Sequence, residues 1–105
     1  MELTGADKRT LRALGHHLEP LVFVGKEGVS ESLVGAVREA HENAELLKVR
    51  ILDTCSGGRR EVARELEDKT GSNLVQILGR TVLLFRRHPE HPRIPLPSYP
   101  LPEQG

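Results

Sequence analysis

Tryptophan is absent, and only Phe23, Phe85 and Tyr99 are aromatic among 105 residues. Aliphatic side chains must therefore fill whatever core forms. A single cysteine, Cys55, rules out an intramolecular disulfide and suits a reducing compartment. No stretch approaches the roughly 20 apolar residues of a membrane-spanning helix, and the N-terminus carries no signal-peptide core. A cytoplasmic protein is expected. Net charge is also missing, since 15 Lys and Arg balance 15 Asp and Glu. This excludes a generic polycation that holds nucleic acid by bulk charge, but it leaves room for segregated patches. There is no Gly-x-x-x-x-Gly-Lys-Ser/Thr phosphate loop, so nucleotide hydrolysis is not expected. Arginine outnumbers lysine 11 to 4, a bias that base composition explains more readily than a preference for forked phosphate contacts.

What is present fits one domain with one modest core. Thr4 reads as an N-cap, with Asp7 three residues on completing a short capping box. Leu11, Leu14 and Leu18 recur at helical spacing, and Lys8, Arg9, Arg12 and His16 occupy other faces. This predicts an amphipathic, basic helix from about Gly5 to His17, ended by Pro20. Leu21-Val22-Phe23-Val24 reads as a short buried strand. Ser30 caps a second helix, whose stripe is Leu33, Val34, Val37, Ala40 and Ala44. In residues 46–52 Leu47, Val49 and Ile51 alternate with Lys48 and Arg50, giving a strand with one covered face and one basic, wetter face. A third helix is expected from about Arg59 to Lys69, capped by Gly71. Two β-rich runs then flank Gly79-Arg80, a two-residue hairpin turn with glycine first. Six of the seven prolines lie between positions 89 and 102, so residues 88–105 are expected to form an extended tail without regular elements, after a domain at 1–87. The order α-β-α-β-α-β-β predicts an α/β fold: a four-stranded mixed sheet with helices mainly on one face.

Gly25-Lys26-Glu27-Gly28 is the first candidate site. Glycines between a strand and a helix N-terminus permit unusual backbone angles and close approach of a nucleic-acid backbone. The helix start offers unpaired N–H groups to phosphate, and Lys26 supplies a counter-charge that Glu27 opposes. Alone, the four-residue pattern is a common turn; its flanking strand and helix give it meaning. Lys48 and Arg50 on one strand face could track a phosphate chain, or simply be solvated. Arg80 sits at a hairpin tip, where charge is ordinary. The first helix, with Lys8, Arg9, Arg12, His16 and His17, is the most coherent basic patch, while acids gather between Glu39 and Glu45. Catalysis finds no constellation. Cys55, read as an exposed loop thiol, lacks a neighbouring base. His88 and His91 lie three apart, off any helix and without a second pair, so neither a metal nor a cofactor is expected.

The stretches Leu18-x-Pro20, Gly25-x-x-Gly28, Glu45-Leu46-Leu47-Lys48-Val49-Arg50, Thr70-Gly71 and Val75-Gln76-Ile77-Leu78-Gly79-Arg80-Thr81 follow one another in an order that resembles the CRM domain of the stand-alone bacterial YhbY type. The resemblance spans about Leu3 to Arg87, with a weaker extension to Arg93–Pro97. It implies a fold related to the C-terminal domain of translation initiation factor three, and RNA binding without a chemical step. It further implies association with large ribosomal subunit precursors during assembly. Plant organelle relatives of this family carry the domain in splicing factors for group II introns. The family's glycine loop carries over to Gly25, Lys26, Glu27 and Gly28 as RNA contacts, and nearby basic positions to Lys8, Arg12 and Lys48. Arg50 and Arg80 join them from the strand and turn readings. Two positions and one stretch depart from the family's habit: Gly15 where alanine is usual, at about 1 kcal/mol of helix propensity, Glu19 where lysine is common, and Phe85-Arg86-Arg87-His88 in place of a tyrosine-arginine-proline ending. An alternative reading is a protein-interaction module acting through the helix faces and the proline-rich tail.

Overall fold

The computed structural model describes residues 1–103, so the last two positions of the expected tail lie outside the described residues. The chain runs α1 (Gly5–Gly15), β1 (Val22–Val24), α2 (Glu31–Asn43), β2 (Leu46–Ile51), α3 (Arg59–Thr70), β3 (Asn73–Leu78) and β4 (Thr81–Phe85). The sheet order is β1-β2-β4-β3. β1 is parallel to β2, and β4 is antiparallel to both β2 and β3. The two crossovers through α2 and α3 thus join parallel strands, and the hairpin folds β4 back into the gap between β2 and β3.

Local chemistry sets the element ends. The Thr4 hydroxyl accepts from the Asp7 N–H while the Asp7 carboxylate accepts from the Thr4 N–H, a complete capping box. The Ser30 hydroxyl accepts from the Leu33 N–H. α3 ends where Gly71 enters the left-handed region at φ 75°. Gly79 turns the hairpin at φ 59°. No helix among the described residues is long and apolar enough to cross a membrane.

Two apolar clusters lie on opposite sheet faces. On one, α2 and α3 contribute Val37, Val62, Ala63 and Leu66 against Val22, Val24, Leu47, Val49, Ile51, Val82 and Leu84. Cys55 belongs to this cluster and is buried, which corrects the expectation of an exposed loop thiol: its side chain completes the core where the β2–α3 connection turns inward. α1 packs alone on the other face. There Leu11 meets Leu46, Val75, Leu83, Phe85 and Leu96. Gly15 lies flush on Leu83, since a Cβ added there would come within 2.7 Å of Leu83 Cδ2. A bulge between Leu74 and Gln76 lets Leu74 and Ile77, three apart, both reach the first cluster while Val75 serves the second.

Residues 88–103 of the proline-rich segment have no helix or strand, yet they fold back over α1's side of the sheet. Leu96 is buried there. The buried Glu45 carboxylate accepts the backbone N–H groups of His88 at 2.8 Å, Arg93 at 2.7 Å and Ile94 at 2.8 Å. Asp7 accepts the Ser98 N–H at 2.9 Å, and the Tyr99 hydroxyl donates to Glu2 O at 2.6 Å. Burial acts to raise the Asp7 carboxyl, but hydrogen bonds from the Ser98 and Thr4 backbones and hydroxyls outweigh it and hold the pKa at about 2. Behind Glu45, His41 Nδ1 faces Ala44 O at 3.1 Å and Nε2 faces the Ser72 hydroxyl at 2.8 Å. Desolvation lowers the His41 pKa; the Ala44 carbonyl opposes this and the Arg86 charge reinforces it.

Candidate nucleic-acid interface

The glycine loop closes as a turn: the Gly28 N–H donates to Gly25 O at 3.0 Å and leaves Lys26 and Glu27 exposed at the tip. Only Gly28 is required by backbone geometry. Its φ of 65° would strain any L side chain. A Cβ at Gly25 would make ordinary contacts, 3.6 Å from Thr54 Oγ1 and 3.9 Å from Leu52 Cδ1. Val29 is buried and anchors the loop's far side. The N-terminus of α2 is partly satisfied by its own Ser30, and Glu31 stands in its first turn, so this end alone is a modest anion site.

Arg80 reaches the same end of the sheet. Its guanidinium donates to Ile51 O at 3.1 Å and Leu52 O at 2.9 Å, and lies 3.5 Å from Asp53 Oδ1. It fastens the hairpin tip to the end of β2, beside the loop.

The basic residues on α1's side of the sheet sort into two depressions. A groove of about 430 Å³ brings Arg9 and Arg12 of α1 and His16 at its C-cap against Lys48 of β2, floored by Gln76, Leu78, Thr81 and Leu83. Arg12 and Lys48, 36 positions apart in the sequence, thus share one wall-and-floor site. Lys8 faces the other way, into a depression of about 300 Å³ with Arg59 and Arg60 of α3, and Gln76 joins the two. Among the described residues no carboxylate lines either one. Among the described residues the ion pairs are Lys69–Glu65, Arg80–Asp53 and His91–Glu90, so Lys8, Arg9, Arg12, Lys48 and Arg50 have no internal counter-ion. Cations gathered without carboxylates create a local positive potential in a chain of zero net charge, and a polyanion is the ligand that neutralises it.

Arg50 is exposed on the same face, opposite Phe23 on β1 and Thr81 on β4. Phe23 itself corrects the expectation of a fully buried first strand. Val22 and Val24 enter the core, whereas Leu21 and Phe23 stay in solvent because α1 stops short of β1. Strand alternation was the available signal, but a four-residue apolar run does not declare which of its faces is covered. Arg59 and Arg60 were likewise missed as companions of Lys8, since only the β3 edge brings α3 and α1 together.

These features define a class: a small α/β domain with a cationic open sheet face and a glycine turn at its margin. The chain belongs to the CRS1/YhbY (CRM) domain family, whose profile matches residues 3–86. It is 41% identical over 95 residues to the Bacillus subtilis protein named Probable RNA-binding protein YqeI, covering 90% of this chain and 99% of that one. It is 29% identical over 86 residues to the Arabidopsis thaliana CRM-domain containing factor CFM2, chloroplastic, covering 82% of this chain and 8% of the plant protein. The solution structure of the Staphylococcus aureus protein SAV1595 superimposes with a TM-score of 0.78 at 36% identity, over 91% of this chain and all of that one.

Proposed function

We propose that this protein binds RNA and performs no chemical step, and that its RNA is that of large ribosomal subunit precursors in the cytoplasm, where it acts in assembly. The observation that carries the reading is the groove in which Arg9, Arg12, His16 and Lys48 converge with no carboxylate in the lining. Its relative YqeI is named for RNA binding, and the motifs of the stand-alone bacterial type supply the ribosomal part of the proposal. The glycine turn and Arg80 lie at the margin of that face, where a backbone leaving the groove would pass Lys26.

Affinity for RNA should fall linearly on a log–log plot against salt, with a slope of about −0.7 per phosphate contacted for a single strand. The test of the cellular role is sedimentation of native extract on a sucrose gradient, with and without ribonuclease. Migration with large-subunit precursors, lost after ribonuclease, is the expected result. Protein that stays at the top of the gradient in low salt in both samples overturns the ribosomal assignment. The interaction-module alternative is weakened by the proline-rich segment itself, since its backbone N–H groups and Leu96 are already engaged with the domain.

A further inference from the structure

A row of four side chains crosses the bare part of the sheet. Phe23 is the register partner of Arg50, Arg50 of Thr81, and Thr81 of Leu78. Neighbouring strands lie about 4.8 Å apart, so the row is a short strip with an aromatic residue at one edge and an arginine as its register neighbour. Phe23 is 51% exposed, and Leu21 and Leu78 are 62% and 67% exposed. The chain's two other aromatic rings are placed differently: Phe85 is fully buried, and Tyr99 is half-buried with its hydroxyl bonded to Glu2. Phe23 is thus the most exposed of the three rings, one strand over from β2, where Lys48 of the groove lies two residues from its partner Arg50. Asp53, the acid following β2, is engaged by Arg80.

We propose that Phe23 is a stacking platform for an unpaired base, with Arg50 and Lys48 taking the adjoining phosphates, so that this face selects single-stranded over duplex RNA. The inference rests on the RNA-binding reading and adds the conformation of the ligand. A base inside a duplex presents its edges and hides its π-face in the stack; a ring on an open sheet face stacks on a base whose face is uncovered, as in a single strand. Arg50 beside Phe23 suits this occupant twice, as a phosphate donor and as a planar cation that itself stacks on bases. A second copy of the chain is a poor occupant, because two-fold pairing through this strip would set Lys48 and Arg50 of one copy against the same residues of the other.

The test uses the full chain and two fluorescein-labelled probes at one salt concentration: a twelve-nucleotide RNA of mixed sequence without self-complementarity, and the same strand annealed to its complement. Fluorescence anisotropy reads both affinities for the wild type, Phe23→Ala, Phe23→Leu and Phe23→Tyr. The wild type should prefer the single strand. Phe23→Ala should weaken single-strand binding about 5- to 150-fold, the range for loss of one base–aromatic stack, and leave duplex binding unchanged. Phe23→Tyr should retain affinity, and Phe23→Leu should resemble alanine. Equal loss on both probes, leucine equal to wild type, or no effect of alanine overturns the stacking role while leaving RNA binding intact. A wild type that binds neither probe overturns the RNA-binding reading as well. A change in oligomeric state of Phe23→Ala in sedimentation velocity, with RNA affinity unchanged, would assign the strip to self-association instead.

Discussion

The two ends of α1's face of the sheet are built from the same strands but finished differently. At the end where β2 begins and β4 stops, Leu46, Leu83 and Phe85 are roofed by α1 and by the proline-rich segment. At the other end, two to four residues further along β2 and β4, Arg50 is exposed and Thr81 half-buried, with Phe23 exposed beside them on β1. The charges follow the same division. The covered end contains inward carboxylates, Glu45 and Asp7, and each holds backbone N–H groups of the returning segment. The bare end and its adjoining groove contain Arg9, Arg12, Lys48 and Arg50, and among the described residues none of them is paired with a carboxylate. A buried carboxylate needs donors, and a segment rich in proline still has N–H groups at its non-proline positions to provide them. Unpaired cations need no roof, because water solvates them until an anion arrives. The contrast teaches that one end is completed by folding and the other by binding.

The largest effect should come from breaking the covered end. Glu45→Ala strands three backbone donors, and removal of a charged acceptor of this kind should lower stability by about 3 kcal/mol or more. Urea denaturation reads the loss, and amide exchange should accelerate at His88, Arg93 and Ile94 before the strands open. RNA affinity per folded molecule should change little.

Acid should loosen the same end in two stages. His41 is held neutral in the fold, so its unfolded counterpart takes up a proton first. Stability is complete above the ordinary value of 6.5 and declines as pH falls below it. Asp7 adds a second decline from about 4 down to about 2, as its unfolded carboxyl protonates before the folded one. Thermal midpoints measured from pH 8 to pH 2 should therefore fall monotonically. A maximum near pH 5 would contradict the assignment.

The bare end should respond in the opposite sense. Arg12→Glu and Lys48→Glu should each weaken RNA binding about tenfold or more and reduce the salt slope by about 0.7 per lost contact. Stability should shift by no more than about 0.5 kcal/mol, as for exposed charges elsewhere. Lys8→Glu, in the separate depression with Arg59 and Arg60, should weaken binding less if the groove is the principal track.

The smallest effects distinguish the two glycines of the loop. Gly28→Ala should cost about 1 kcal/mol because of its positive φ, whereas Gly25→Ala should be close to neutral in stability. A bulky residue at Gly25 with undiminished RNA affinity would show that RNA does not approach the loop closely.

Much of this was readable in residue order. Thr4, Ser30 and Gly71 marked helix ends through bonds spanning a few positions, and the alternation of Leu47, Val49 and Ile51 with Lys48 and Arg50 oriented β2 correctly. The bulge at Val75 was not readable, because "NLVQIL" is apolar enough to satisfy either face. Nor was the exposure of Phe23, since a hydrophobic strand residue is buried only if some other element reaches it. The basic residues of α1 were visible as a patch, but their division into a groove shared with Lys48 and a depression shared with Arg59 and Arg60 was not.

Residue order alone specifies the helices and strands, the caps at Thr4, Ser30 and Gly71, the two-residue hairpin and the alternation of β2, because each depends on torsions and hydrogen bonds within a few residues. The tertiary structure decided which face receives α1, how Glu45 gathers residues 43 to 49 positions away, and which end of the sheet stays bare. Those outcomes depend on strand order and on the reach of a single short helix. Local chemistry specifies neither, so the site became visible only when distant cations were seen on one uncovered surface.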